Sequence, residues 1–367
     1  MRVSIISLGI VITIISTMSF FPSCEAKPRA RDLGIIPGYM EPGKYNAITD
    51  VPGVKVGQAT LWAPELKKHT GVTAILPHSA NLYRDRVPAG FFQANGYGKM
   101  MGISQIVELG ELETPIVLTN TLNVAEGSQG IIEWTLNQVG NENVRSVNAV
   151  VGETNDGRIN DIRQRFVKPH HVIQAIKQAS SGPVKEGNVG AGAGTVAFGY
   201  KGGIGTASRI AGEFTVGVLL QANYGGDLQI LGVPVGRQLK SIEAQKTSPD
   251  GSVMIVVATD APVSDRNLTR LAKRAILGIG KTGGIMSNGS GDYVIAFSTN
   301  QKVRRKSGNV LQVDQSLSNS RMTPLFNAVI EATEESVYNA LFAAEPVGKY
   351  QSLPDSVLPM IVNESSK

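Results

Sequence analysis

The sequence predicts one α/β domain, because short β-branched runs alternate along the chain with stretches of helical periodicity. Neither a low-complexity linker nor a repeat of solenoid period interrupts the 367 residues. With 42% hydrophobic residues, a chain of this length can bury a large core. We therefore expect residues 27–367 to fold as a single domain.

Strand-like and helix-like segments are distributed along the chain after residue 53. Strand-like runs occupy residues 54–56, 71–76, 115–119, 147–151, 214–220, 252–260 and 293–297. Helix-like stretches occupy residues 123–138, 170–178, 265–277 and 324–342. In the third helix Leu268, Leu271 and Ala275 form one buried stripe. Residues 190–194 predict close backbone packing, and residues 278–282 predict a helix C-cap rather than a phosphate loop.

The first 26 residues have the layout of a secretory signal, with Arg2 before an apolar run over residues 3–15. Cleavage after Ala26 fits this layout best. Two alternatives stay open: an uncleaved membrane anchor, and a lipoprotein modified at Cys24. The lipoprotein is less favoured, since residues 21–23 lack the usual aliphatic residue three positions before the cysteine. A cleaved signal predicts a periplasmic or secreted protein that leaves the membrane.

The composition argues against several kinds of site. Cys24 is the only cysteine, so a chain cleaved after Ala26 has no disulfide, thiol nucleophile or thiolate metal site. The four histidines, at 69, 78, 170 and 171, form no His-Glu-x-x-His motif. The net charge of +5 is modest, and the basic run at 302–306 is typical of a solvated loop. We therefore expect no nucleic-acid partner, no metal and no cofactor.

The dipeptide Gly251-Ser252 suggests a self-cleavage site. It lies between a turn-forming stretch at 246–250 and the apolar run from Ser252 to Asp260, so a conformationally free glycine precedes a rigid strand. Breaking the bond would give Ser252 a free α-amine, which could act as base for its own hydroxyl. The alternative is an ordinary hairpin turn, since a chain with 41 glycines has other Gly-Ser pairs, at 127–128 and 289–290.

Several stretches, in chain order, resemble the self-processing serine aminopeptidases, the family of the L-aminopeptidase/D-amidase-esterases and the bacterial β-peptidyl aminopeptidases. They are TDVPGVKVG at 49–57, GVTAILP at 71–77, LETPIVLTNT at 112–121, FGYKGGIGTASR at 198–209, GVLLQAN at 217–223, DGSVMIVVATD at 250–260, LAKRA at 271–275 and EATEE at 331–335. The resemblance implies a four-layer αββα sandwich, with the layers of N-terminal-nucleophile hydrolases but a different connectivity. It also implies a precursor cut at Gly251-Ser252 into chains 27–251 and 252–367.

The resemblance assigns roles to the residues at matching positions. Ser252 matches the nucleophile, and Ser290 and Asp292 match the serine and the acid that orient it. Asn223 matches the donor to the oxyanion, and Glu153 matches the acid that binds the free amino group of the substrate.

One position departs from the family pattern. Asn155 stands where family members carry an aromatic residue near the scissile carbonyl, which implies a roomier pocket and a different substrate preference. The expected activity is release of N-terminal residues from small peptides, amides or esters through an acyl-enzyme, by a homo-oligomer of αβ units.

Two other classes remain open. The expected layered fold resembles that of acyltransferases of the ornithine acetyltransferase type, which also cleave themselves. Those enzymes, however, cleave before a threonine and work inside cells. A non-enzymatic periplasmic solute-binding protein would also fit export and the α/β pattern, and its chain would stay intact.

Overall fold

The computed structural model describes residues 27–239, 251–312 and 315–365. Its strands are β1 (Lys55–Ala63), β2 (Lys68–Leu76), β3 (Asp85–Gly96), β4 (Met100–Met101), β5 (Glu111–Leu112), β6 (Ile116–Asn120), β7 (Val150–Thr154), β8 (Val196–Ala197), β9 (Tyr200–Lys201), β10 (Gly203–Ala211), β11 (Phe214–Asn223), β12 (Ser252–Thr259), β13 (Gly291–Ser298) and β14 (Arg305–Lys306). Its α-helices are α1 (Ile103–Leu109), α2 (Val124–Leu136), α3 (Pro169–Lys177), α4 (Val235–Leu239), α5 (Asp265–Lys281), α6 (Thr323–Phe342) and α7 (Val357–Ser365).

Two mixed sheets stack on each other between two layers of helices, which is the expected αββα sandwich. The first sheet has the strand order β1-β2-β6-β7-β4, and helices α2 and α3 pack on it. The second has the order β10-β11-β12-β13-β3-β14, with β5 also paired to β3, and α5 and α6 pack on it. Strands on both sides of the Gly251-Ser252 bond therefore belong to one sheet.

Strand β12 shows why the central strands consist of continuous runs of apolar residues. Val253, Ile255 and Val257 belong to the core between the second sheet and its helices. Met254 and Val256 alternate with them and belong to the core between the two sheets. Since both faces of the strand are covered, every position favours an apolar residue.

Each strand-like run overlaps an observed strand, and each helix-like stretch overlaps an observed helix. The sequence does not predict β3 and β10, because glycines interrupt their apolar residues. Packing requires these glycines: a Cβ on Gly90 would lie 2.2 Å from the backbone nitrogen of Thr269 in α5, and one on Gly205 would lie 1.9 Å from the carbonyl oxygen of Ser336 in α6.

The C-cap of α5 lies within residues 278–282, as expected, but the helix is longer than the helix-like stretch 265–277. The helix continues through Gly278 to Lys281, and Thr282 is its C-cap. A Cβ on Gly278 would lie 2.7 Å from the carbonyl oxygen of Ile330, so this glycine lets α5 and α6 approach closely. Close packing of residues 190–194 is confirmed, since a Cβ on Gly192 would lie 2.4 Å from the backbone nitrogen of Ile204.

A buried ion network ties the second sheet to α6. Arg209 in β10 is fully buried, and its guanidinium lies 3.1 Å from Glu331 Oε2 and 2.6 Å from Glu335 Oε2.

The predicted secretory signal at 1–26 and the turn at 246–250 lie outside the described residues. Within the described part of the chain, no helix has both the length and the apolarity needed to cross a membrane.

Candidate active site

The candidate site lies where three strands of the second sheet end together. β12 runs antiparallel to β11 and parallel to β13. In this register Ser252, the first residue of β12, lies opposite Asn223, the last residue of β11. On its other side Ser252 pairs with Gly291, the first residue of β13. The pairing therefore brings together residues that are far apart in the sequence.

The Gly251-Ser252 peptide is held in a confined position. Ser252 is buried, and its hydroxyl lies 2.5 Å from the carbonyl oxygen of Gly251. The N–H of Gly291 points at both groups, 3.3 Å from that carbonyl oxygen and 3.4 Å from Ser252 Oγ. A Cβ on Gly251 would lie 2.1 Å from the carbonyl oxygen of Asn223, so only glycine fits before Ser252. A hydroxyl group and a carbonyl group that accepts a hydrogen bond are thus adjacent.

Ser290 and Asp292 flank Gly291 and form a buried pair. The Ser290 hydroxyl donates to Asp292 Oδ1 at 2.7 Å, and both residues are about 1% exposed. Burial raises the pKa of Asp292 to about 6, although hydrogen bonds from Ser290 and from the Val253 backbone oppose the rise. The carboxylate is therefore ionised at pH 8 and acts as an acceptor one residue from the Gly291 N–H that contacts Ser252.

Asn223 has its carboxamide fixed on both sides. Its Oδ1 accepts from the backbone N–H of Val196 at 2.9 Å, and its Nδ2 donates to the carbonyl oxygen of Asn155 at 3.0 Å. Since a carboxamide nitrogen has two hydrogens, one donor is left for a group in the cleft. The Asn155 side chain is exposed and accepts from the N–H of Gly157 at 2.9 Å. Asn155 thus positions Asn223 through its backbone.

Glu153, in β7, is buried at the opposite sheet. Its Oε1 accepts from the backbone N–H of Lys99 at 3.0 Å and lies 3.3 Å from the Lys99 ammonium, and its Oε2 accepts from the Thr121 hydroxyl. This carboxylate is therefore already arranged to hold an ammonium group.

A cleft of about 540 Å³ connects these groups. It is lined by Gly251, Ser252, Asn223, Glu153 and Asn155. The pair formed by Ser290 and Asp292 lies behind the lining. In the described part of the chain, no group of three or more His, Cys, Asp and Glu side chains is arranged to hold a metal ion.

Sequence reasoning missed several residues of the cleft. Lys99 and Arg158 line it but stand in loops without a recognisable pattern. Thr121 also lines it, at the end of a stretch that carries the family resemblance, but the resemblance assigns it no role. The N–H of Gly291 is a backbone group, so no residue type marks it in the sequence.

The four layers, together with a strand that starts at a serine facing the cleft, are typical of hydrolases with the N-terminal-nucleophile fold. The profile of peptidase family S58 matches residues 46–353, and the chain belongs to this family. It is therefore a hydrolase of the aminopeptidase class, which sets aside the solute-binding and acyltransferase alternatives.

Relatives of the chain are similar over nearly its full length. The chain is 41% identical to the β-peptidyl aminopeptidase BapA of Sphingosinicella microcystinivorans, and the match covers 92% of each. Among solved structures, a β-aminopeptidase from a Burkholderia species is 38% identical, with a TM-score of 0.85 over 92% of this chain and 99% of that one. The L-aminopeptidase D-Ala-esterase/amidase of Ochrobactrum anthropi, described as a variant of the Ntn hydrolase fold, is 36% identical, with a TM-score of 0.84 over 93% and 99%.

Proposed function

We propose that this protein is an exported, self-processing serine aminopeptidase that forms an acyl-enzyme on Ser252. Family membership gives the aminopeptidase class. The observation that carries the rest is the position of Ser252, which begins a strand, lines the cleft and has its hydroxyl 2.5 Å from the Gly251 carbonyl oxygen. The proposed substrates are short peptides, amides or esters with a free amino terminus.

Self-cleavage begins with attack of Ser252 Oγ on the carbonyl carbon of Gly251. The Oγ–C bond forms, the hydroxyl proton passes to the departing Ser252 nitrogen, and the C–N bond breaks to leave an ester. Breaking the C–N bond leaves a free Ser252 α-amine, and water then hydrolyses the ester to the Gly251 carboxylate and the Ser252 hydroxyl. The Gly291 N–H, 3.3 Å from the Gly251 carbonyl oxygen, supports this step because it stabilises the developing negative charge.

In turnover the Ser252 α-amine takes the proton of its own hydroxyl. An ordinary α-amine has a pKa of about 7.7–8.0, which suits a general base near neutral pH. The oxygen attacks the substrate carbonyl, Asn223 donates to the oxyanion, and the protonated amine gives its proton to the leaving group. Water then hydrolyses the acyl-enzyme and restores the hydroxyl. The ionised Asp292 holds Ser290 next to this centre throughout.

Glu153 selects substrates with a free amino group. The Lys99 ammonium, 3.3 Å from Glu153 Oε1, stands where a substrate ammonium would bind, and the Lys99 side chain is 52% exposed. We therefore propose that substrate displaces Lys99 into solvent and takes its place. Because two relatives are named β-peptidyl aminopeptidases, we propose that the N-terminal residue of the substrate is either a β-amino acid or an α-amino acid.

Export and assembly belong to the same proposal. The charged and apolar layout of residues 1–26 supports export with cleavage after Ala26, to the periplasm or the medium. A mature chain without cysteine suits an oxidising compartment, since it cannot form wrong disulfides. We propose a homo-oligomer of αβ units, to be measured by light scattering.

The first test compares purified wild-type protein with Ser252→Ala by denaturing gel, intact mass and N-terminal sequencing. We expect two wild-type fragments, the smaller beginning at Ser252, and an uncut variant. Ser128→Ala changes the serine of another Gly-Ser pair, inside α2, and should still be cut. An intact wild-type chain, or a cut Ser252→Ala chain, would overturn the assignment of Ser252.

The second test assays wild type against peptides, amides and esters with free or acetylated amino termini. Cleavage should occur only with the free amine and should resist chelators. Activity that chelators abolish would contradict the metal-free mechanism.

A further inference from the structure

A second cavity adjoins the candidate active site and has a different charge. Its volume is about 690 Å³, and Arg158 lines both cavities. Besides Arg158, its lining includes Lys67 and Lys349, with Trp62 and Tyr350 as aromatic walls, and none of the described residues that line it is an Asp or a Glu. The loop that carries Arg158 is tied to this cavity, because the N–H of Asp161 donates to the carbonyl oxygen of Lys67 at 2.8 Å.

The two cavities together match the charges of a short peptide. Glu153 lies in the first cavity and complements an ammonium group, whereas the charged side chains among the described residues that line the adjoining cavity are all cationic. A short peptide has a free amine at one end and a free carboxylate at the other. Arginine and lysine donors suit a carboxylate, and aromatic walls suit the side chain of the leaving residue.

We propose that Arg158, Lys67 and Lys349 form a subsite for the C-terminal carboxylate of short peptide substrates. This proposal rests on the proposed function, because it requires that Ser252 cleaves peptides between the two ends. It narrows the substrate class to short peptides with both termini free, in preference to C-terminal amides of the same sequence.

The experiment measures kcat/KM for matched pairs of dipeptides and tripeptides, each as the free acid and as the C-terminal amide. Wild type should prefer the free acid, and Arg158→Gln and Lys349→Gln should each lower the acid-to-amide ratio by about tenfold, as expected for loss of one charge-assisted bond. Lys302→Gln, a change of an exposed lysine elsewhere, should keep the wild-type ratio.

The outcomes separate the two proposals. Wild type that cleaves both forms equally well would overturn the carboxylate subsite and leave the proposed function in place. Wild type that cleaves neither form would overturn the proposed function. Variants that lose activity on both forms in equal proportion would also overturn the subsite.

A buried lysine near the cleft has no part in the proposed mechanism. Lys201, in β9, is fully buried, and its ammonium donates to the carbonyl oxygens of Gly192 at 2.9 Å and Gly202 at 2.7 Å. Burial lowers the pKa of Lys201 to about 7, while attraction to Asp156 opposes the change. Burying a lysine costs free energy unless its ammonium is hydrogen-bonded or paired, and both conditions are met here.

Asp156 is the matching buried anion. It is about 1% exposed, and its Oδ1 accepts from Asn160 Nδ2 at 3.0 Å. It packs on the glycine-rich loop, since a Cβ on Gly194 would lie 2.9 Å from Asp156 Cβ. Lys201 binds the same loop through Gly192. Lys201 therefore hydrogen-bonds to the loop and Asp156 packs against it.

Both residues neighbour the groups that fix the Asn223 carboxamide. Val196, which donates to Asn223 Oδ1, pairs with Lys201 across the β8–β9 hairpin. Asn155, which accepts from Asn223 Nδ2, immediately precedes Asp156. We infer that Lys201 and Asp156 are positioning residues that orient Asn223 toward the oxyanion.

The test separates kcat from KM in Lys201→Met. A displaced donor should lower kcat by about 10²-fold with little change in KM, and should slow self-cleavage as well. Lys201→Met combined with Asp156→Asn removes both charges and provides a variant that avoids an unpaired buried carboxylate. If either Lys201→Met or the double variant folds and has the wild-type kcat, the inference is overturned. Lys201→Gln keeps a hydrogen-bond donor and should therefore have a higher kcat than Lys201→Met.

Discussion

The buried carboxyl of Asp292 should make folding stability depend on pH in a defined window. Burial raises its pKa from 3.8 to about 6, so between these values the folded state binds more protons than the unfolded state. The free energy of unfolding therefore falls as pH rises from about 4 to about 6, and nearly all of the loss has occurred above about pH 7. The rise in the pKa of Asp292 corresponds to a loss of about 3 kcal/mol, and this value already includes the opposing effect of the hydrogen bonds to the carboxylate. Asp292→Asn has no such titration.

The measurement is urea unfolding of Ser252→Ala with and without Asp292→Asn, followed by tryptophan fluorescence between pH 4 and pH 8. The Ser252→Ala background keeps the chain in one piece, so that unfolding can reverse. Any packing cost of the asparagine is the same at every pH. The stability difference between the two proteins should therefore change by about 2 kcal/mol in favour of Asp292→Asn from pH 4 to pH 8, which is less than the full value of about 3 kcal/mol because the carboxyl of the unfolded chain is already more than half ionised at pH 4. A difference that stays constant with pH would refute the reasoning.

The remaining predictions concern the cleft and the ion network. Asn223→Ala should lower kcat by about 10²–10³-fold with little effect on KM, measured by steady-state kinetics beside the exposed Asn137→Ala. Glu153→Gln should raise KM for free-amine substrates by about tenfold or more, because a charge-assisted bond to the ammonium is lost; an unchanged KM would assign amine binding elsewhere. Arg209→Met removes the buried positive charge that pairs with the carboxylates of Glu331 and Glu335. The free energy of unfolding, measured by urea denaturation, should therefore fall by about 3–5 kcal/mol. A loss below about 1 kcal/mol would show that the network adds little.

Local patterns predicted the main elements of the fold because burial imposes them residue by residue. The runs that form β12 and β13 are apolar at successive positions, and α5 has a stripe at helical spacing. The same reasoning failed for β3 and β10. Their glycines look like breaks in the sequence, but they are there because helices pack directly on the strands.

The sequence by itself determined which residues have the right chemistry: a Gly-Ser bond before a rigid strand, and the family-matched positions Ser290, Asp292, Asn223 and Glu153. Only the tertiary structure decided that strand ends bring Ser252, Asn223 and Gly291 side by side. It also decided that burial raises the pKa of Asp292, and that the Lys99 ammonium forms an ion pair with the Glu153 carboxylate. The physical reason is that strand register and desolvation arise from contacts between distant segments, whereas a local pattern reports only the neighbours of a residue along the chain.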